Sequence, residues 1–348
     1  MYTAMHTDKE HGAARKSGGR AGGLIAAGAM LLLTVAIVAG SLLVWNGIVN
    51  QTPDEAGAQT GGGARSVEQV LQAARALADD GREGEADAVL TSAVEQFPDD
   101  QPLRVALAEV CLQREQRERA YEQYLEALRI GPRDSALEFA AGSLASTLGD
   151  RESAAGHYQA AQSADPTNPK YPLYLAQMQL KLNRFTEASA SLLYVIKLDP
   201  DEAWAHGTLA DLSLRDNNAS LAQRHAERAR ELDPENPVWV VVLAKALKRQ
   251  GEAERALLLM RTLPDTTLLS SPAIDTYAEC CGAMKLPLEA ADAYRRALVN
   301  DRNNAAYAMN AALWYERAGD TENALGYARL ARSLGNESAE ALVERLSR

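Results

Sequence analysis

The chain has 348 residues, of which 47% are hydrophobic and 24% charged, so it can bury a large core and lacks the composition of a disordered or fibrous protein. Its formal net charge of -11 argues against nucleic acid as the main partner, because neutralising phosphates requires a basic surface. Three cysteines are too few for a disulfide scaffold, and abundant helix-forming residues with only 5% aromatic content favour an all-α fold.

The N-terminal region predicts a membrane anchor. Residues 23–49 carry no charge and are long enough to cross a hydrocarbon core of roughly 30 Å as a helix. A cleaved signal peptide is the alternative, but its apolar region would be shorter, about 7–15 residues. The tail before it, residues 1–22, is basic and therefore predicted to be cytoplasmic, which places everything after residue 50 on the other side. Residues 50–65 are rich in glycine and predict a flexible linker.

A period of 34 residues dominates the rest of the chain. Three series of mostly small residues follow it: Ala86, Ala120, Ala154, Ala188, Ala222, Ala256, Ala290 and Ala324; Ala74, Ala108, Gly142, Ala176, Ala210, Ala244, Ala278 and Ala312; Ala93, Ala127, Ala161, Val195, Ala229, Leu263, Ala297 and Ala331. Small side chains at fixed points let two helices approach closely. Tyr124, Tyr158 and Tyr294 lie one helical turn after the first series and are expected to fill the gap to the next unit.

Turn and stop residues repeat with the same period. Glycine or asparagine, which tolerate the left-handed conformation at a helix end, stands between the two helices at Gly81, Gly149, Asn183, Asn217, Gly251 and Gly319. Prolines end the first five units at Pro98, Pro132, Pro166, Pro200 and Pro234. In the sixth unit Pro264 comes about one turn early, which predicts a truncated second helix followed by an enlarged loop.

These residues resemble the tetratricopeptide repeat. The resemblance covers residues 66–336 and implies a right-handed superhelical solenoid of about eight helix pairs, with the first helix of each pair lining a concave groove. The usual Trp, Gly and Tyr of the first helix are mostly replaced here, leaving Gly142 and Tyr315. Residues 337–348 predict an amphipathic helix that caps the open end of the array.

The sequence offers no catalytic constellation. It has no nucleophile elbow, no phosphate-binding glycine loop, no H-E-x-x-H motif and no cysteine pair at zinc spacing, so we expect no enzyme activity, no cofactor and no small-molecule substrate. The histidines are scattered: His157 and His225 occupy equivalent second-helix positions two units apart, and His206 lies in a first helix. We therefore predict surface or packing roles for them and no metal site.

A candidate binding strip follows from the positions that face the groove in the family, namely the second, fifth, ninth, twelfth and thirteenth residues of each unit. In units four to six these positions include Lys170, Lys181, Trp204, Arg215, Lys245, Lys248 and Arg249. Such a strip suits a protein or peptide segment with acidic side chains or a free C-terminal carboxylate. Ordinary solvated helix surface is the alternative, because lysine and arginine are frequent on exposed helices.

Taken together, these patterns favour a single-pass protein of the inner membrane with a periplasmic repeat domain, resembling membrane-anchored assembly factors of bacterial envelopes. The leading hypothesis is a noncatalytic scaffold that holds protein or peptide partners. One alternative is a holding chaperone for translocated chains, which predicts broad and weak apolar binding. Another is a noncatalytic subunit of a membrane enzyme, which predicts stoichiometric association with an active protein.

Overall fold

A computed structural model describes residues 66–348, and over these residues the chain forms eighteen α-helices and no strand. In chain order they are α1 (Val67–Asp79), α2 (Glu83–Gln96), α3 (Gln101–Gln113), α4 (Arg117–Ile130), α5 (Ser135–Leu148), α6 (Arg151–Ala164), α7 (Lys170–Lys181), α8 (Phe185–Leu198), α9 (Ala203–Arg215), α10 (Ala219–Leu232), α11 (Pro237–Arg249), α12 (Ala253–Met260), α13 (Asp265–Leu268), α14 (Ala273–Ala283), α15 (Pro287–Asn300), α16 (Ala305–Arg317), α17 (Thr321–Ser333) and α18 (Ala339–Leu346). The all-α prediction is confirmed for this part of the chain.

The membrane predictions concern other residues. The basic tail (1–22), the spanning helix (23–49) and the linker (50–65) lie outside the described residues and stay predictions. Between residues 66 and 348, no helix combines the length and the apolar character needed to cross a membrane.

The helices follow the 34-residue period. Repeats 1 to 8 comprise α1–α2, α3–α4, α5–α6, α7–α8, α9–α10, α11–α13, α14–α15 and α16–α17. In repeats 1, 2 and 4 to 8 the first helix packs directly against the second. The chain divides after Asp150 into two compact parts, so that α1–α5 belong to an N-terminal part and α6–α18 to a C-terminal part.

The small-residue series mark the helix contacts. All eight alanines of the first series, from Ala86 to Ala324, are fully buried with 0% of their surface exposed. The second and third series are buried as well. Two of the tyrosines reach the following repeat as predicted, because the ring centroid of Tyr158 lies 5.5 Å from that of Tyr174, and the centroid of Tyr294 lies 6.0 Å from that of Tyr307. Close helix packing therefore recurs at the spacing the sequence indicates.

The turns between first and second helices share one backbone conformation. All six predicted residues have positive φ, from 59° at Asn183 and Asn217 to 89° at Gly149. The two remaining repeats place Glu115 and Lys285 at the same position, with φ of 58° and 59°. The fold thus imposes the left-handed conformation at every repeat, even where the residue is poorly suited to it.

The N-terminal part has its own core and its own buried charges. Asp87 is only 6% exposed and accepts hydrogen bonds from Arg114 and, at 2.9 Å, from Arg119, which joins α2 to α4 and to the end of α3. Burial raises the pKa of Glu109 to about 8, against the opposing effect of Arg75. These groups lie in repeats 1 and 2, apart from the predicted binding strip.

Repeat 6 departs from the others where the sequence predicts. Its second helix, α12, has 8 residues instead of the 14 found in α10, and the short α13 fills part of the loop before α14. A polar cluster closes the gap: Arg261 donates to both carboxylate oxygens of Glu289, at 2.7 and 2.8 Å, and the Tyr277 hydroxyl donates to the same carboxylate. An ionic network thus joins repeat 6 to repeat 7 next to the truncated helix.

The segment after repeat 8 forms α18. Ala339, Leu342 and Val343 are buried, whereas Glu340 and Glu344 are exposed. Arg345 pairs with Glu316 of α16 at 2.7 Å. The apolar side of this helix covers the end of the array, and its polar side faces solvent.

Candidate binding surface on the first helices

The first helices of the C-terminal part form a row. α9 packs against α11, and α11 packs against α14. The name first-helix face is used here for the accessible side of α7, α9, α11, α14 and α16. All seven predicted strip residues belong to α7, α9 or α11.

Apolar side chains meet between α7 and α9, beside the residues of the predicted strip. Leu173 and Leu180 of α7 and Trp204 of α9 are half-buried and pack against one apolar cluster, which also contains the ring of Phe185. The guanidinium carbon of Arg215 lies 3.7 Å from the centroid of that ring. Stacking on an aromatic ring holds the cation at the surface while its hydrogen-bonding edge stays available.

Two other cations of the strip make contacts between repeats. Arg249 donates a hydrogen bond to the carbonyl oxygen of Leu214, near the C-terminal end of α9, where a positive charge is favourable. Lys248 forms an ion pair with Glu279 of α14. These residues therefore join neighbouring first helices in addition to presenting charge.

The remaining lysines face outward. Lys170 and Lys181, at opposite ends of α7, are exposed, and Lys245 of α11 is half-buried. The structure thus groups Lys245, Lys248 and Arg249 near the end of one helix and leaves the two α7 lysines about a helix length apart.

A cavity of about 720 Å³ opens on the first-helix face beyond the predicted strip. It is lined by Lys248, Glu279, Gly282, Ala283, Lys285, Pro287, Trp314 and Arg317, from α11, α14 and α16, the turn after α14 and the first residue of α15. The cavity shares only Lys248 with the predicted strip. Its volume falls within the range of about 300–1,000 Å³ typical of ligand pockets.

The wall of this cavity depends on a glycine. A Cβ atom at Gly282 would overlap the ring of Trp314, so only glycine lets the indole lie against α14. The guanidinium carbon of Arg317 lies 4.5 Å from the centroid of the same ring. The cavity therefore presents an aromatic surface with a cation stacked on it.

The family comparison agrees with this arrangement of paired helices. Residues 139–203 match the family model described as tetratricopeptide repeat. The match supports the tetratricopeptide repeat family. A comparison with curated proteins gives no match.

Several solved structures resemble the chain. YrrB, described as a TPR protein with an unusual peptide-binding site, is 17% identical, with a TM-score of 0.45 over 50% of this chain and 90% of its own. A tetratricopeptide repeat protein from Parabacteroides merdae is 15% identical, with a TM-score of 0.46 over 81% of this chain and 98% of its own. The Cut9–Hcn1 structure is 14% identical, with a TM-score of 0.48 over 81% of this chain and 56% of its own. These likenesses say nothing about what the present chain binds.

The predicted strip covers only repeats 4 to 6, and it therefore misses the cavity, most of whose residues belong to repeats 7 and 8. Residue thirteen of the repeat is basic in repeats 4, 5, 6 and 8, at Lys181, Arg215, Arg249 and Arg317, but is Ala283 in repeat 7. Residue twelve of repeat 7 is Gly282. Gly282 and Ala283 are small where the other repeats carry larger residues, and this difference indicates an open space. The signal lies in repeat 7, outside the repeats that the strip covers.

The histidines and cysteines of the C-terminal part do not form a metal-binding or reactive-thiol site. His206 and His225 meet in repeat 5, with their Nδ1 atoms 3.1 Å apart, and a nitrogen of His206 lies 3.1 Å from the carbonyl oxygen of Pro200. Among residues 66–348, no group of three or more potential ligands could hold a metal ion. Burial raises the pKa of Cys280 to about 11 and that of Cys281 to about 12, so both remain thiols at neutral pH.

Proposed function

We propose that this protein is a noncatalytic scaffold or assembly factor that binds protein partners through the first-helix face of its C-terminal part. The observation that carries the proposal is the combination found there: half-buried apolar side chains between α7 and α9, together with cations held by Phe185, Leu214 and Trp314. Apolar area gives affinity, and fixed charges give orientation.

The partner proposed is a protein or peptide segment with acidic side chains or a free C-terminal carboxylate. The strip contributes six cations, Lys170, Lys181, Arg215, Lys245, Lys248 and Arg249, in a protein whose net charge is -11. Asp211 of α9 is exposed within the same region and reduces the local positive charge. A basic strip on an acidic protein favours one orientation of an acidic partner, because the acidic surfaces elsewhere on the protein repel that partner.

We further propose that residues 23–49 anchor the chain in the inner membrane, with the repeats on the periplasmic side. The support is the uncharged segment and the excess of basic residues before it. Protease added to spheroplasts tests this topology directly. Digestion of residues 66–348 is expected, whereas their protection would move the repeats to the cytoplasm.

Site-specific photo-crosslinking separates the scaffold from its rivals. A photoreactive residue is placed at position 181, 215 or 245 of the full chain in cells, and the products are identified by mass spectrometry. One dominant partner is expected at all three positions. A mixture of unrelated envelope proteins would instead indicate a holding chaperone, and a stoichiometric complex with an active enzyme would indicate a noncatalytic subunit.

A further inference from the structure

We infer that the cavity between α11, α14 and α16 is a specificity pocket that accepts an acidic side chain from an extended protein segment, with an apolar neighbouring side chain against Trp314. The inference rests on the proposed function, since the segment belongs to the bound partner. The proposed function does not include this pocket or its preference for an acidic side chain, and neither follows from the strip on α7, α9 and α11.

The charge balance of the pocket favours an anion. Lys248, Lys285 and Arg317 supply three positive charges, and Glu279 supplies one negative charge. Glu279 is already paired with Lys248. Among residues 66–348, neither Lys285 nor Arg317 forms an ion pair, and both are exposed, so two positive charges of the pocket are accessible to an anionic group.

The position of Arg317 suits a carboxylate. Its guanidinium stacks on Trp314, 4.5 Å from the ring centroid, which limits the rotation of a long side chain. A stacked guanidinium keeps its planar edge of N–H donors free for two parallel hydrogen bonds to one carboxylate. The arginine is therefore held in place before the ligand arrives, which lowers the entropic cost of binding.

The rest of the pocket is apolar and open because repeat 7 lacks the large side chains of its neighbours. Where repeat 7 has Gly282 and Ala283, repeat 6 has Lys248 and Arg249. Pro287 and the Trp314 ring complete the apolar wall. The space of about 720 Å³ exceeds what a single carboxylate needs, so it fits an acidic residue together with its neighbours in an extended segment.

The turn after α14 extends this apolar wall to the outer surface. Met284, Leu286 and Leu288 are exposed, Leu288 by 57%, and they flank the two pocket residues Lys285 and Pro287. Three exposed apolar side chains within five residues are unusual on a solvated turn. A segment that alternates acidic and apolar side chains would place its acidic groups near Lys285 and Arg317 and its apolar groups on this rim.

Peptide binding to the full chain in detergent tests the inference. The probe is a fluorescein-labelled eight-residue peptide of alternating aspartate and leucine with blocked ends, and fluorescence anisotropy reports its affinity. Arg317→Gln is expected to weaken binding about ten-fold or more, because it removes a charge-assisted hydrogen-bond pair. The matched control is Arg329→Gln, which removes an exposed arginine from the second helix of the same repeat and should leave the affinity unchanged.

Two further measurements fix the chemistry. Gly282→Ala is expected to weaken binding by displacing Trp314, and a peptide of alternating asparagine and leucine should bind about ten-fold less tightly than the aspartate peptide. Equal affinity for the two peptides, or equal losses in Arg317→Gln and Arg329→Gln, would overturn the pocket. So would displacement of the peptide by millimolar inorganic phosphate at constant ionic strength, since the site would then be one for small anions.

The crosslinking and peptide-binding experiments distinguish a failure of the pocket inference from a failure of the scaffold proposal. If crosslinks at positions 181, 215 and 245 capture one partner but the aspartate peptide does not bind, the pocket inference fails and the scaffold stands. If the peptide binds as described but no partner is captured from the first helices, the pocket stands as a binding site and the proposed scaffold function fails.

Discussion

At the scale of single residues, the eight turns between first and second helices show how the fold constrains sequence. Six turns use glycine or asparagine, whereas repeats 2 and 7 use Glu115 and Lys285 at φ near 58°. A side chain with a Cβ atom pays for this conformation with about 1–2 kcal/mol of steric strain. Glycine removes that strain but gives the unfolded chain more freedom, which offsets part of the gain.

Replacing Glu115 by glycine is therefore expected to stabilise the N-terminal part by about 0.5–1 kcal/mol. The measurement is the thermal midpoint followed by circular dichroism on the full chain. Glu122→Gly, at an exposed position inside α4, is the control and should destabilise by about 1 kcal/mol, because glycine in a helix interior loses propensity. A lower midpoint for Glu115→Gly would contradict the strain assigned to this turn.

The contact between His206 and His225 makes repeat 5 sensitive to acid. Burial, the neighbouring His206 and Arg224 lower the pKa of His225 below its ordinary value of 6.5. Since the unfolded chain then binds a proton more readily than the folded one, the folded state loses stability as pH falls below about 6.5. The hydrogen bond between the two Nδ1 atoms is incompatible with full protonation of both rings.

His225→Gln is accordingly expected to reduce the fall in thermal midpoint between pH 7.5 and pH 5.5. Arg230→Gln, at an exposed position of the same helix α10, should keep the fall seen in the unchanged protein, because it leaves the histidine pair in place. Differential scanning fluorimetry at both pH values compares the variants. An identical pH dependence in all three proteins would show that the histidine pair does not contribute.

At the scale of helices, two glycines in different surroundings predict opposite effects of the same substitution. A Cβ atom at Gly207 of α9 would overlap the ring of Trp239, which is only 6% exposed. A Cβ atom at Gly156 of α6 would meet no atom within 4 Å. Gly207 therefore serves close packing between repeats 5 and 6, whereas Gly156 serves no packing contact.

Gly207→Ala should destabilise the C-terminal part by about 1–3 kcal/mol through overpacking. Gly156→Ala should stabilise it by roughly 0.5–1 kcal/mol, because alanine favours the helix. Urea denaturation, monitored by the loss of helical circular dichroism, gives the change in the free energy of unfolding for each variant. Stabilisation by both substitutions would mean that the Trp239 ring moves aside freely.

The truncated helix of repeat 6 makes a second prediction at this scale. Glu289 accepts hydrogen bonds from Arg261 and from the buried hydroxyl of Tyr277. These contacts join repeat 6 to repeat 7 next to the truncated helix. Glu289→Gln should destabilise the C-terminal part by about 1–2 kcal/mol, since it weakens charge-assisted hydrogen bonds at a partly exposed site. Glu322→Gln, at an exposed position of α17, is the control with little expected change in thermal midpoint.

The sequence predicted packing better than surface contacts, for a physical reason. A small residue such as Ala222 is fixed by the space between two helices, so its spacing alone reveals the fold. Lys248 and Arg215 are long side chains whose partners, Glu279 and Phe185, lie about one repeat away. Such contacts depend on how neighbouring repeats stack. The cavity beside Trp314 also depends on the small size of Gly282 and Ala283, which leave the space open.

At the scale of the whole molecule, the two compact parts carry different polar features. The N-terminal part buries Asp87 between arginines, whereas the C-terminal part contains the strip and the cavity. A surface charge reversal on one part should therefore leave the folding of the other unchanged. With a net charge of -11, the protein as a whole repels acidic partners unless they meet its local basic surface.

The central claim is that partners bind the first-helix face. Photo-crosslinking from two arginines of repeat 5 tests it most directly: Arg215 at the end of first helix α9, and Arg230 on second helix α10, both exposed. With the full chain in cells, a single partner is predicted to crosslink at position 215 and not at position 230. Crosslinking from position 230 alone would contradict the claim and assign binding to the second helices.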